Sequence, residues 1–232
     1  MQVPKINAAV EHFRDWLRTE EAEKYLPLFE TQQNWQDHFN VEAKNLAEVY
    51  DRALDSKTNR RHYRRSGYDP KTAMLRILGS ETEFARDAFR DLFSEDRDVD
   101  GRVGRFEFFV NELWNRYRDA HPKERLPDHY HRDDYAMASL YLTGQYPEKY
   151  APYSTELLQT VCRRLGAKSV PEAADFGRYV KLLATLRNFL VQDETVMANY
   201  TALLRPEDYA GDSALLVYLF FQSLRGEADP AQ

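Results

Sequence analysis

The most specific chemical pattern in the sequence is an acidic segment that matches a calcium-binding loop. Asp96, Asp98 and Asp100 alternate along the chain, Gly101 follows, and Glu107 completes the spacing. Calcium takes about six to eight oxygen ligands, and an EF-hand loop supplies carboxylates at this spacing. The segment is therefore a candidate metal site, with Asp96, Asp98, Asp100 and Glu107 as ligands.

The residues that follow this segment favour another interpretation. The loop of an EF-hand is followed by a helix with four apolar positions. In this chain Phe108 occupies the first of them, but the other three hold the polar residues Asn111, Glu112 and Asn115. The apolar stripe of this helix runs in a different register. We predict that the helix starts near Gly101 or Arg102 and that the segment is an acidic turn, with carboxylates placed where the helix dipole favours them. Calcium binding remains the alternative.

A basic segment between residues 57 and 76 is the second candidate site. It carries seven lysines and arginines against one aspartate, a net charge of +6 in a chain of net charge −6, so the remaining residues carry −12. Guanidinium groups bind phosphates and aromatic rings stack on unpaired bases. We predict nucleic-acid contact through four arginines and two tyrosines: Arg60, Arg61, Arg64, Arg65, Tyr63 and Tyr68. A solvated surface segment is the alternative.

Other reactive residues give no catalytic pattern. His129 and His131 are two residues apart, so they do not share a helix face, and zinc needs three or four converging ligands. Cys162 is the single cysteine and lies at helical spacing between leucines, so we expect a buried thiol. We find no phosphate-binding GxxxxGK[ST] motif and no nucleophile–base spacing. We therefore expect no enzyme, no catalytic residues and no cofactor besides the calcium alternative.

Apolar residues recur at helical spacing along most of the chain, and no segment has a convincing strand pattern. The spacing predicts an all-α fold, a single multi-helix domain of about ten helices. Residues 1–66 would form an N-terminal helical lobe with the basic segment at its end, residues 67–226 a helical core, and residues 227–232 a polar tail. The central pair of helices carries two stripes that we expect to be buried: Phe84, Ala88, Phe89, Leu92, Phe93, Val103, Phe106, Val110, Leu113, Trp114 and Tyr117.

Composition narrows the class of protein. The chain has 232 residues, of which 43% are hydrophobic, which is enough for a substantial core. No apolar run is long enough to cross a membrane, and the N-terminus lacks the basic and apolar regions of a secretory signal. These features predict a protein without membrane partners and favour a cytoplasmic location.

Three stretches resemble the helical region that precedes the motor in McrB-like restriction NTPases. The longest is HYHRDDYAMASLYLTGQYPEKYAPYSTELLQTVCRRLG, residues 129–166. The turn LFSEDRDVDGRVGRF and the apolar stretch LLVYLFFQSL are also similar to that region. The resemblance covers about residues 70–225, and it implies that the acidic turn holds no calcium.

In that family, an AAA+ motor couples nucleotide hydrolysis to a nuclease partner, and modules ahead of the motor often recognise DNA. This chain lacks the motor's phosphate-binding motif, so NTPase activity does not carry over. The resemblance implies a non-catalytic module for DNA recognition or partner docking in a restriction or phage-defence system. Its implied partners are DNA, an AAA+ motor domain or subunit, and a nuclease. The alternatives are an EF-hand-like calcium-binding protein and a protein-interaction scaffold that uses the tyrosine-rich residues 141–153.

Overall fold

The computed structural model describes residues 1–55, 70–128, 130 and 135–225. Within these residues the chain forms helices and connecting turns, and no strand. The bounds are α1 (Val3–Trp16), α2 (Glu20–Glu23), α3 (Leu26–His38), α4 (Leu46–Ala53), α5 (Pro70–Ser80), α6 (Thr82–Phe93), α7 (Val99–Ala120), α8 (Ala136–Gln145), α9 (Thr155–Arg164), α10 (Phe176–Leu190), α11 (Glu194–Leu203) and α12 (Leu215–Ser223). The predicted all-α, single-domain class is confirmed.

The central pair of helices is α6 and α7, which pack along each other. Helix α7 begins at Val99, slightly before the predicted start, because the Asp98 carboxylate caps it by accepting a hydrogen bond from the Gly101 amide at 3.0 Å. The buried side chains recur every three or four residues, as an amphipathic helix requires. They are Ala85, Ala88, Phe89, Leu92 and Phe93 on α6, and Val103, Phe106, Val110, Leu113 and Trp114 on α7.

The prediction that Phe84 lies in this buried stripe is wrong. Phe84 is 60% exposed, whereas Ala85 is 1% exposed. The buried face of α6 starts at Ala85 and continues through Ala88 and Phe89, so Phe84 lies about 100° away around the helix. A small alanine therefore faces the core, and the large aromatic ring faces solvent.

Helix α8 crosses α3 at close range. A Cβ atom placed on Gly144 would lie 2.5 Å from the Trp35 indole, so only glycine allows this contact. Trp35 is 1% exposed and stacks on Tyr141, with the ring centroids 5.6 Å apart. The absence of a side chain at Gly144 thus allows α8 to lie against the aromatic core.

The N-terminal and C-terminal helices share the same core. Helix α1 packs on α11 and α12, and the Phe13 and Phe220 rings meet edge to face at 5.4 Å. Helix α12 is buried nearly all round, as its uniformly apolar sequence indicates. Buried side chains from residues 6–54 and 73–224 form one cluster. The predicted lobe boundary at residue 66 and the predicted tail at 227–232 lie outside the described residues.

Across the described ranges, none of the helices is both long and apolar enough to cross a membrane. Cys162 is 1% exposed, which confirms the expected burial, and this burial raises the pKa of its thiol. The side chain therefore packs as a small apolar residue on α9.

Candidate functional site

The acidic turn between α6 and α7 directs its three aspartates to different partners. Asp96 accepts a hydrogen bond from the Ser94 hydroxyl, and this bond lowers the pKa of its carboxyl. Asp98 caps α7, as described above. Asp100 accepts a hydrogen bond from the Gly177 amide at 2.9 Å, which connects the turn to the first turn of α10. Each carboxylate therefore has a local structural role.

The fourth residue of the predicted calcium site lies well inside helix α7. Because Glu107 is helical, the segment from Val99 onwards does not have the open conformation of an EF-hand loop. Among the described residues, no group of three or more His, Cys, Asp or Glu side chains is arranged to hold a metal ion. The structure therefore does not bring Asp96, Asp98, Asp100 and Glu107 together, and calcium binding by this segment stays a prediction.

A hydrogen-bond network joins the acidic turn to the loop after α8. The Arg102 guanidinium, in a residue that is 2% exposed, donates to the Tyr150 hydroxyl at 2.8 Å and to the Leu92 carbonyl at 2.7 Å. The Tyr150 hydroxyl donates to the Glu95 carboxylate at 2.9 Å. Lys149 forms an ion pair with the same carboxylate. Two of the three segments that resemble the McrB-like region are therefore in direct contact.

This network satisfies two of the three nitrogens of a buried guanidinium, and the third, Arg102 Nε, has no hydrogen-bond partner among the described residues. Glu95 compensates the charge of Arg102 through Tyr150, which lies between them. Burial by itself raises the pKa of the Glu95 carboxyl, but hydrogen bonds from Lys149 and Tyr150 outweigh burial and lower that pKa below its ordinary value. Burial also raises the pKa of Tyr150 to about 12. The turn and the loop are thus connected by two hydrogen bonds and an ion pair.

Three of the four tyrosines in residues 141–153 are buried, and Tyr146 is half-buried. Tyr141 is fully buried, Tyr150 is 4% exposed and Tyr153 is 3% exposed. The Tyr141 hydroxyl forms hydrogen bonds with Tyr50 at 2.8 Å and with Tyr130 at 2.7 Å. These three side chains belong to the core, and an interaction surface in this segment stays a prediction.

The predicted nucleic-acid contacts lie outside the described residues. This holds for Arg60, Arg61, Arg64, Arg65, Tyr63 and Tyr68, and also for His129 and His131. The described end of the basic segment forms ion pairs: Lys71 with Asp51 at 2.8 Å, and Arg76 with Glu124 at 3.3 Å. DNA contact at this segment stays a prediction.

The outer surface of α6 and α7 carries exposed aromatic side chains. Phe84 is 60% exposed, Phe108 is 61% exposed and Phe109 is 46% exposed. We name this surface the α6–α7 face. It contains a cleft of about 220 Å³ lined by Phe84, Asp87, Ala88, Phe109, Glu112, Leu113 and Arg116. The apolar floor of the cleft is accessible from outside, which is uncommon for side chains of this size.

Charged groups surround this cleft. The Arg116 guanidinium lies over the Phe84 ring, with its carbon 5.7 Å from the ring centroid. Asp87 and Glu112 contribute carboxylates, and Asp87 accepts a hydrogen bond from Arg90 at 2.9 Å. The sequence contained a signal for this surface, because Phe108 and Phe109 fall outside the buried stripe of α7. Two adjacent phenylalanines outside a buried stripe indicate an exposed aromatic surface on α7.

Comparisons with known proteins add no relative to this description. No family model matches the chain, and no curated protein or solved structure matches it. The resemblance to the McrB-like region therefore rests on the quoted stretches alone. The features of the molecule that bear on its function are therefore the geometry of the α6–α7 face and the charge distribution of the chain.

Proposed function

We propose that this chain is a non-catalytic partner-docking module and that the α6–α7 face binds an amphipathic helix of a protein partner. The observation that carries this proposal is the exposure of Phe84 and Phe109 on the walls of one apolar cleft, with the exposed Phe108 ring beside Phe109. Docking is also what the resemblance implies for a helical region associated with an AAA+ motor subunit and a nuclease.

The exposed aromatic rings support protein docking energetically. Phe84, Phe108 and Phe109 gain free energy when a partner removes them from water, at about 25 cal/mol per Å² of apolar surface. Aromatic side chains in a small pocket are typical centres of protein interfaces. A cleft of about 220 Å³ is suited to one or two apolar side chains, as when a helix inserts an anchor into a groove.

The charges favour a basic partner. Two carboxylates, Asp87 and Glu112, line the cleft together with one guanidinium. Asp87 forms an ion pair with Arg90, whereas Glu112 has no ion pair with another of the described residues. The residues outside 57–76 carry a net charge of −12, which attracts a basic partner and repels a second copy of the same acidic body. We therefore infer that the docked helix carries lysine or arginine beside its apolar anchor.

DNA recognition is the second half of the function that the resemblance implies. It would use the basic segment, with Arg60, Arg61, Arg64 and Arg65 on phosphates and Tyr63 and Tyr68 on bases. The test is fluorescence anisotropy with duplex and single-stranded DNA, plain and cytosine-modified. Affinity that falls steeply with salt and is lost when the four arginines are changed to glutamate would support contact there. Flat titrations at low salt would remove DNA from the proposal.

Selection from a displayed library of random helical peptides tests the docking proposal without a known partner. We expect the enriched peptides to carry apolar residues on one helix face, at positions i, i+4 and i+7, with lysine or arginine beside them. A Phe84→Ser, Phe109→Ser double variant should lose most of this binding, because it removes two walls of the cleft. Charge reversal by Asp87→Lys and Glu112→Lys should weaken the binding of basic peptides and strengthen the binding of acidic ones.

The matched control is Phe189→Ser. Phe189 is 41% exposed on α10 and does not line the cleft, so its replacement removes a similar aromatic surface elsewhere. Enriched peptides that bind the double variant as well as the wild type would refute docking at the α6–α7 face. Enrichment of acidic peptides would refute the basic partner.

A further inference from the structure

The charges of the α6–α7 face lie at different positions along the two helices. Helices α6 and α7 are antiparallel: Phe84 lies beside Arg116 near one end of the pair, and Asp91 contacts Arg105 at 2.8 Å near the other end. The Arg116 guanidinium is therefore close to the end where α6 begins. Glu112 lies one helical turn further in, about 6 Å away along the axis of α7. The groove between the helices thus has a positive end followed by a negative section.

The two charges of α7 that line the cleft are not neutralised within the described residues. Arg116 and Glu112 are both exposed, and neither forms an ion pair there, although they are four positions apart on one helix. The Arg116 guanidinium lies over the Phe84 ring instead. Asp87, the second carboxylate of the cleft, differs from Glu112 because it forms an ion pair with Arg90 at 2.9 Å. A docked segment therefore meets one uncompensated cation and one uncompensated anion, a turn apart.

A helix that complements both groups needs a carboxylate beside Arg116 and a basic side chain beside Glu112. Because these two positions are about 6 Å apart along α7, side chains four residues apart on the docked helix reach both. Glutamate four positions before lysine stabilises a helix more than the reverse order does, since each charge then lies nearer the end of the helix dipole that it complements. The charges of the cleft and the preferred order together define a direction.

We propose that the α6–α7 face binds an amphipathic helix that carries an acidic residue four positions before a basic one and that runs antiparallel to α7. The acid of the docked helix pairs with Arg116, its base pairs with Glu112, and its apolar anchor fills the cleft between Phe84 and Phe109. This inference rests on the proposed docking function, and it specifies the charge pattern and the direction of the partner.

Two synthetic peptides of the same composition test the inference. Each has about 15 residues, so its helix is about 22 Å long. Each carries leucine at positions i, i+4 and i+7 in an alanine background. One has glutamate four positions before lysine, and the other has the reverse order. A nitroxide on a cysteine at either end of the peptide broadens the amide NMR signals of nearby residues in ¹⁵N-labelled protein, so it reports the direction of the docked helix.

We expect a nitroxide at the N-terminus of the glutamate-first peptide to broaden most strongly the amide signals around Phe84 and Arg116. At the C-terminus of the same peptide, it should broaden those around Asp91 and Arg105. The opposite pattern would overturn the inference, while docking at this face would stand. Failure of both peptides to shift any amide signal of the α6–α7 face would overturn the docking proposal together with the inference.

An exchange of the two charges in the cleft separates their effect from the intrinsic helicity of the peptides. In fluorescence anisotropy, the wild type should bind the glutamate-first peptide about two- to fivefold more tightly than its isomer. The Glu112→Arg, Arg116→Glu variant has the same net charge and should lose or reverse this preference. The control is Asp15→Arg, Arg18→Glu, which exchanges two exposed charges near the end of α1 and should keep it. A preference that the exchange in the cleft leaves unchanged would overturn the inference.

Discussion

The Arg102 guanidinium donates a hydrogen bond to the Tyr150 hydroxyl at 2.8 Å, in a region where both residues are almost fully buried. Arg102 is in the first turns of α7, and Tyr150 is in the loop after α8, so this contact joins two segments separated by 48 positions. Through Tyr150, the arginine is also connected to Glu95. The acidic turn is therefore a structural junction between α7 and the loop after α8.

Removing the Tyr150 hydroxyl should destabilise the protein. Tyr150→Phe leaves the buried Arg102 with one fewer hydrogen bond, and a hydrogen bond to a charged group contributes about 1.5–3 kcal/mol. We expect a decrease of this size in the free energy of unfolding, measured by urea denaturation. Tyr209→Phe is the control, because the Tyr209 side chain is half-buried and makes no described hydrogen bond. A Tyr150→Phe variant as stable as the control would contradict the role given to this junction.

The Glu95 carboxylate should make stability depend on acid pH. Its pKa in the folded state is lowered, so in the unfolded state the carboxyl binds protons at a higher pH than in the folded state. The stabilisation is complete above the ordinary glutamate pKa of about 4.3 and is lost as the pH falls through the folded-state value. The Glu95→Gln variant should therefore lose less stability than the wild type as the pH falls from about 5 to about 3, a window set by the ordinary glutamate pKa. Urea denaturation at several pH values measures this, and parallel curves for both proteins would refute it.

Replacement of two glycines by alanine should change the stability of the protein in opposite directions. A Cβ atom at Gly144 would lie 2.5 Å from Trp35, whereas a Cβ atom at Gly104, inside α7, would meet nothing within 4 Å. Gly144→Ala should cost about 1–3 kcal/mol through overpacking of the α3–α8 contact. Gly104→Ala should stabilise by about 0.5–1 kcal/mol, because alanine favours helix more than glycine does. Thermal unfolding monitored by circular dichroism distinguishes the two variants. Equal shifts of the unfolding temperature would contradict the close packing of Gly144 on Trp35.

Replacement of two buried tyrosines by phenylalanine should change the stability of the protein by different amounts. Tyr141→Phe removes two hydrogen bonds, to Tyr50 and Tyr130, and should cost about 1–3 kcal/mol. Tyr200→Phe removes a hydroxyl that has no described partner, so stability should stay unchanged or increase. The comparison uses one chemical change at two sites, with unfolding free energies from urea titration. A larger loss at Tyr200 than at Tyr141 would show that the Tyr200 hydroxyl is satisfied in the folded protein.

Much of the fold was predictable from local patterns. Helical periodicity indicated the α6–α7 pair, and the apolar sequence of residues 215–224 indicated a buried last helix, because each pattern depends on neighbours within one helix. Phe84 was misassigned, since its spacing is one position from the actual stripe and only tertiary packing favours Ala85 instead. The exposure of Phe108 and Phe109 follows from the same register, although the sequence alone did not suggest a cleft between two helices.

The candidate sites were less predictable because they depend on contacts between distant residues. No pattern within the acidic segment indicates that Arg102 meets Tyr150, or that Asp100 meets Gly177, 77 positions away. The tyrosine density in residues 141–153 suited both an interface and a core, and it does not indicate that Tyr141 and Tyr153 are buried whereas Tyr146 is half-buried. Tyr200 resembles any apolar helix residue in sequence, and only its buried, unpartnered hydroxyl distinguishes it.

The most direct test of partner docking is to map where an enriched peptide binds. Titration of the peptide into ¹⁵N-labelled protein, followed by amide NMR, reports each contact along the chain. The account predicts that the largest shifts fall on α6 around Phe84 and Asp87 and on α7 around Phe109 and Glu112. Amide shifts concentrated on α11 or on residues 141–153, with the α6–α7 face unaffected, would contradict it.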